Sequence, residues 1–177
     1  MLSKITKGSA AMGHTIEQFA SQCHDLLKNN PGPAGRQKVA EALKGVLLDE
    51  TFIAKHLTPT TGEREIIYED PELGFVIVAH HYLGPKSSDP HDHAHSWAIY
   101  GQARGTTEMR DYQKIEEASA DKPGKVKVTK SYALTPGIAH VYNEGDLHAP
   151  ERKGSTSLIR IEGTDMSKVK RMKYEVV

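Results

Sequence analysis

The chain has 177 residues, 23 basic and 23 acidic side chains and a pI near 7.2, so nucleic acid and anionic membrane are excluded as expected partners. That length suits one domain, and the one cysteine, Cys23, excludes an internal disulfide and fits a reducing cytoplasm. The leading "MLSKITKGSAAMGHTIEQF" lacks the apolar core of a signal peptide, and no apolar run approaches the roughly 20 residues of a spanning helix.

The first 56 residues read as helical. In "TIEQFASQCHDLLKNN", Ile16, Phe19, Ala20, Cys23, Leu26 and Leu27 fall on one stripe. Thr15 is the N-cap and Gln18 completes a capping box. "NNPGPAG" breaks that helix. A second follows in "RQKVAEALKGVLLDE", with Val39, Leu43, Val46 and Leu47 in phase, and a short third lies near "ETFIAKHL". After Thr58 the texture changes. "EREIIYED", "LGFVIVAHHYL", "SWAIYGQ", "GTTEMRDYQKI", "KVKVTKSYAL", "TSLIRIEG" and "RMKYEVV" are short, rich in β-branched or aromatic residues and bounded by Gly, Pro or Asp. Such spacing predicts a β-sandwich or barrel. The expected organisation is one structural domain, with N-terminal helices over 1–58 packing on a mainly β body over 59–177.

Five of the ten histidines lie between positions 80 and 95. In "DPHDHAHSWAIYGQARG", His91 and His93 stand at i and i+2, which on a strand share a face. Two imidazoles on one barrel wall chelate one ion when a third ligand joins them. Two later histidines compete for that place. His140 follows a Pro-Gly turn in "TPGIAHVYNEG", and His148 follows a Gly-Asp turn in "NEGDLHAP"; spacing alone leaves both open. Neutral imidazoles suit Fe, Zn, Cu, Ni or Co rather than Mg or Ca. Three protein ligands leave open positions, the mark of a working site.

"HDHAHSWAIYGQARG" and "PGIAHVYN" resemble the two sequence motifs of the cupin superfamily, the double-stranded β-helix jelly rolls. The resemblance implies a cupin-type jelly-roll β-barrel behind the N-terminal helical layer. It also favours His140 as the third ligand, with Pro136, Gly137 and Asn143 around it and Gly105 at the place of the first motif's glycine. Trp97 and Ala98 stand where that motif usually has an acid. The chain is similar in this to the three-histidine, cysteine dioxygenase-type thiol dioxygenases, which also carry helices ahead of the barrel. That closer resemblance implies a role for Arg64, in "GEREIIYED", in gripping a substrate carboxylate, for which a guanidinium is suited. Two departures stand against a shared substrate. Ala98 replaces the cysteine of the family's thioether cross-link. Ser157 is followed by Ile159 and Ile161, so the family's Ser-His-Tyr relay is absent.

Among the remaining candidates, Tyr142 shares the face of His140 and is a hydrogen-bond donor for the site. Glu108 is a candidate fourth ligand, His95 a rim residue, Trp97 and Tyr100 candidate pocket walls, and Arg160 a candidate cavity residue. The resemblance implies Fe(II), with Zn, Ni, Mn or Cu as other ions that imidazoles accept, held by His91, His93 and His140. It implies a dioxygenase acting on a small thiol or organic acid with O2 as co-substrate, in a homodimer. A metal-dependent isomerase or hydrolase and a non-catalytic ligand-binding cupin are the alternatives, since this fold hosts many functions.

Overall fold

Thr15 opens the first helix in the computed structural model, which describes residues 13–177; the part of the leader reading that falls on residues 1–12 lies outside them. Its hydroxyl accepts from the Gln18 amide and the Gln18 side chain accepts from the Thr15 amide, so the capping box closes around α1, Ile16–Asn29. Pro33 then stands in the first turn of α2, Pro33–Leu47, where its missing N–H costs nothing. This starts α2 ahead of the Arg36 where the periodic pattern begins. Asp49 caps α3, Glu50–His56, accepting from the Thr51 and Phe52 amides.

Ten strands follow: β1 (Glu65–Glu69), β2 (Val76–Tyr82), β3 (Lys86–Ser87), β4 (Ala98–Arg104), β5 (Thr107–Glu116), β6 (Gly124–Leu134), β7 (Ala139–Tyr142), β8 (His148–Arg152), β9 (Thr156–Glu162) and β10 (Tyr174–Val176). They form two five-stranded sheets, ordered β1-β2-β9-β4-β7 and β10-β6-β5-β8-β3. Only the β10–β6 pair is parallel; the other pairs are antiparallel. The chain crosses between sheets repeatedly rather than completing one before the other, as a jelly roll does. β3, β7 and β8 were not among the expected strands. β3 and β7 are very short, and β8 carries Pro150, whose residue type argues against a strand.

Alternation along the first sheet sets what each face meets. Ile77, Ala79, Ile99, Ala103, Ala139, Ile159 and Ile161 face the helices and pack with Phe19, Val39, Leu43, Leu47, Phe52 and Ile53. Gly101 belongs to this face. A Cβ there would lie 2.7 Å from Leu43 and 3.0 Å from the Ile159 carbonyl oxygen, so the missing side chain lets α2 approach β4. The intervening positions point into the barrel, and many are polar: His80, Tyr82, Tyr100, Gln102, His140, Tyr142, Arg160 and Glu162. Ala98, Tyr100, Met109, Leu134 and Tyr142 pack together inside. No helix among the described residues is long and apolar enough to cross a membrane.

Candidate metal centre

The stretch from Asp89 to Trp97 joins β3 in one sheet to β4 in the other. The expectation of a strand here is corrected: the segment is a loop with one isolated bridge. His91 and His148 exchange backbone hydrogen bonds of 3.0 and 2.9 Å, which fixes the loop against the start of β8. Asp92 Oδ1 accepts from the Ala94 amide at 3.0 Å, and Ala94 takes a left-handed φ of 52°. That turn sends the exposed His95 away while His93 stays buried.

His91, His93 and His148 come together, each offering a nitrogen within 4.8 Å of the others. Their ring centroids lie 4.6 to 5.8 Å apart. The hydrogen bonds dictate two tautomers. His91 Nδ1 meets the Asp89 carbonyl at 2.8 Å and His148 Nδ1 meets the Asp146 carbonyl at 2.8 Å. A carbonyl only accepts, so both Nδ1 atoms carry the proton and both Nε2 atoms present bare lone pairs. The Tyr100 hydroxyl stands 3.3 Å from Nε2 of both His93 and His148, and its single proton satisfies one of them. His93 Nδ1 is buried without a partner. Burial holds His91 down to about 4 and His93 to about 2, and with the neighbouring imidazoles it pushes His148 well below its ordinary range. Converging neutral imidazoles with unanswered lone pairs fit a transition-metal cation, and carbonyl-anchored Nδ1–H groups orient such ligands.

His140, expected as the third ligand, is outside this group, and His148 stands in its place. The reason is topological. The Pro136-Gly137 turn feeds β7 in the first sheet, where His140 pairs with Tyr100 of β4. The Tyr142 ring lies 4.6 Å from His140 and stacks 3.9 Å from His148, so it stands against both. His148 instead follows Gly145, at φ 79°, into β8, the strand that bridges His91. The "EGDLHAP" turn was the available signal. Tyr142 itself is buried with its hydroxyl 2.6 Å from that of Tyr132, which donates to Asp111. The hydroxyl beside the imidazoles belongs to Tyr100.

Arg64 ion-pairs with Glu162 at 2.7 Å and Asp165 at 2.9 Å. Glu108 alternates with the inward Met109 and lies opposite Glu151, apart from the three imidazoles. Trp97 packs on the helix side, 5.3 Å from the Arg36 guanidinium. Arg36 also donates to Asn143 and to both oxygens of Glu144, which ties α2 to the turn between β7 and β8. A cavity of about 680 Å³ opens beside the histidines, lined among others by His80, Tyr82, His91, Tyr100, Arg152 and Arg160. Arg160 lies over the Tyr100 ring at 4.1 Å.

No protein-family model matches the chain, and no curated protein does. Solved structures similar to it include a cupin superfamily protein from Desulfitobacterium hafniense, 12% identical over 58% of this chain and 76% of that one, with a TM-score of 0.41. A cupin-2 domain protein from Shewanella frigidimarina is 15% identical over 65% and 93%, with a TM-score of 0.43. An oxalate oxidase with bound glycolate is 17% identical over 52% and 43%, with a TM-score of 0.39. The β body, two interleaved five-stranded sheets behind three helices, has a jelly-roll arrangement. The HxH loop joins its two sheets, and through His91 the histidine cluster reaches the cavity wall.

Proposed function

We propose that the protein is a non-haem Fe(II) dioxygenase of the three-histidine type, with iron held by His91, His93 and His148. The observation that supports it is the convergence of those imidazoles beside a cavity large enough for a small organic molecule. His91, His93 and His148 would hold the iron, which when bound would supply the redox chemistry that O2 requires, and their neutral ligand set would leave room for an anionic substrate. The chain's own residues then do the rest. The carbonyls of Asp89 and Asp146 keep two imidazoles in the ligating tautomer. Tyr100, kept protonated by burial, holds a proton beside the centre. The apolar wall of Ala98, Met109, Leu134 and Tyr142 excludes water behind it. The substrate is a small thiol or organic acid, both atoms of O2 enter the product, and no external reductant is consumed. The same reading places the protein in the cytoplasm, as a homodimer.

Elemental analysis of protein purified without added metal, followed by oxygen-electrode screening of small thiols and organic acids, tests it. Stoichiometric iron and substrate-dependent oxygen uptake are expected. Zinc, manganese or nickel with turnover but no oxygen uptake would replace the dioxygenase by a Lewis-acid isomerase or hydrolase. Protein free of metal that takes up none on addition ends the reading.

A further inference from the structure

The cavity beside the histidines contains two arginines whose hydrogen-bonding capacity is only partly used by the protein. Arg152, on β8, is 3% exposed; its guanidinium lies 4.6 Å from the Tyr82 ring centre, and its Nε and Nη2 are buried without a partner. It forms no ion pair among the described residues. Arg160, on β9, reaches Glu162 through Nη1 at 3.3 Å, while its Nε is buried and unpartnered. Glu162 is already held by Arg64 at 2.7 Å. Arg64 and Arg160 therefore share Glu162, with Asp165 beside Arg64, and Arg152 has neither carboxylate. Around the whole cavity, six basic side chains face four acidic ones.

A buried guanidinium is strongly disfavoured without a compensating anion or a full set of acceptors. Tyr82 and Tyr100 offer ring faces to the two cations, which steadies them but satisfies no N–H. Planar guanidinium groups with spare, fixed donors are suited to bidentate grip on a carboxylate. His80 adds an acceptor in the same cavity. Its Nδ1 meets the Glu63 carbonyl at 2.6 Å and is thus protonated, and its Nε2 is bare, buried and unpartnered.

The geometry points to Arg152 and Arg160 as a carboxylate-binding pair, so that the ligand of this cavity is a small carboxylic acid held with its other end toward His91 and Tyr100. The assignment deepens the reading of the site as a metal-dependent dioxygenase, and it moves the anion grip from Arg64, which is committed to two carboxylates, to these two residues. His80 Nε2 accepts a hydrogen bond from a hydroxyl or thiol on the same ligand.

Titration calorimetry with malonate, its neutral diamide malonamide and inorganic phosphate, on protein as purified and after dialysis against chelator, tests this. Malonate is expected to bind both preparations at least tenfold more tightly than malonamide or phosphate. Arg152→Leu should weaken malonate binding at least tenfold and leave malonamide unchanged, with Arg152→Lys in between. Circular dichroism and thermal melting establish that each variant is folded; if Arg152→Leu does not fold, the malonate-to-malonamide ratio in the parent and in Arg152→Lys decides. Equal binding of malonate and malonamide, tighter binding of phosphate, no binding at all, or malonate binding that disappears with the metal yet survives Arg152→Leu would each overturn the assignment. Malonate selectivity in a protein that never takes up metal would leave the pair standing and remove the dioxygenase.

Discussion

Which nitrogen carries a proton decides what His91, His93 and His148 can do. Two of the three have their Nδ1–H groups fixed on backbone carbonyls, so substitution of a ligand removes a preformed donor rather than a mobile one. His148→Ala should abolish stoichiometric metal in purified protein, whereas His140→Ala should keep it, with elemental analysis as the readout; the opposite pattern would restore His140 as the ligand. Tyr100→Phe removes one hydroxyl beside two Nε2 atoms and no ligand. It should leave metal content unchanged and, with a substrate in hand, lower turnover by about 10²-fold if the hydroxyl moves a proton. Sequence reasoning found two of the three imidazoles, because an HxH repeat is local. It ranked His140 above His148 because a Pro-Gly turn matches a motif, and the match carries no information on which strand the turn enters.

Elements report their own determinants. Gly101 sits in β4 under α2, and an added Cβ would press on the Ile159 carbonyl oxygen, which belongs to the neighbouring strand and cannot swing aside. Gly101→Ala should cost about 1–3 kcal/mol in chemical denaturation, the usual penalty of overpacking. Asp49 caps α3 and also accepts from the His14 amide and ring, and these contacts, the His14 amide first, hold its carboxyl down at about 2. The folded value lies below the 3.8 of an ordinary aspartate. Its stabilisation is therefore present above pH 4 and lost as pH falls from about 4 toward 2. Asp49→Asn should flatten the pH dependence of unfolding in that window and leave neutral-pH melting less affected. The helices were legible because caps and 3.6-residue periodicity act within one turn. β7 and β8 were not, because a short strand containing Pro150 is held by its partners, β4 on one side and β5 and β3 on the other.

At the scale of the molecule, the histidine cluster joins the connection between the two sheets to β8. A cation bound there stabilises the fold by mass action. At a free concentration 100 times its dissociation constant the gain is about 2.7 kcal/mol, or roughly 5–10 °C in melting temperature for a chain of this size. Chelator should reverse the shift, and His148→Ala should show none; a melting temperature indifferent to Fe(II), Zn(II) and chelator alike would argue against any ion at this position.

The helices and their caps, the change to short strands after Thr58, the glycine turns and the paired imidazoles of the HxH loop were all legible in the amino-acid order. Each of these depends on neighbours a few residues away, through backbone hydrogen bonds, φ preference or alternation. The packing of distant segments was needed to show that His148 rather than His140 completes the cluster, that Tyr100 rather than Tyr142 brings a hydroxyl to it, and that Arg152 and Arg160 carry buried, unpartnered donors in the cavity while Arg64 pairs with two carboxylates. Those outcomes depend on which strand lies beside which and on where the carboxylates of Glu162 and Asp165 already reside, and distant segments settle both when the two sheets close on each other.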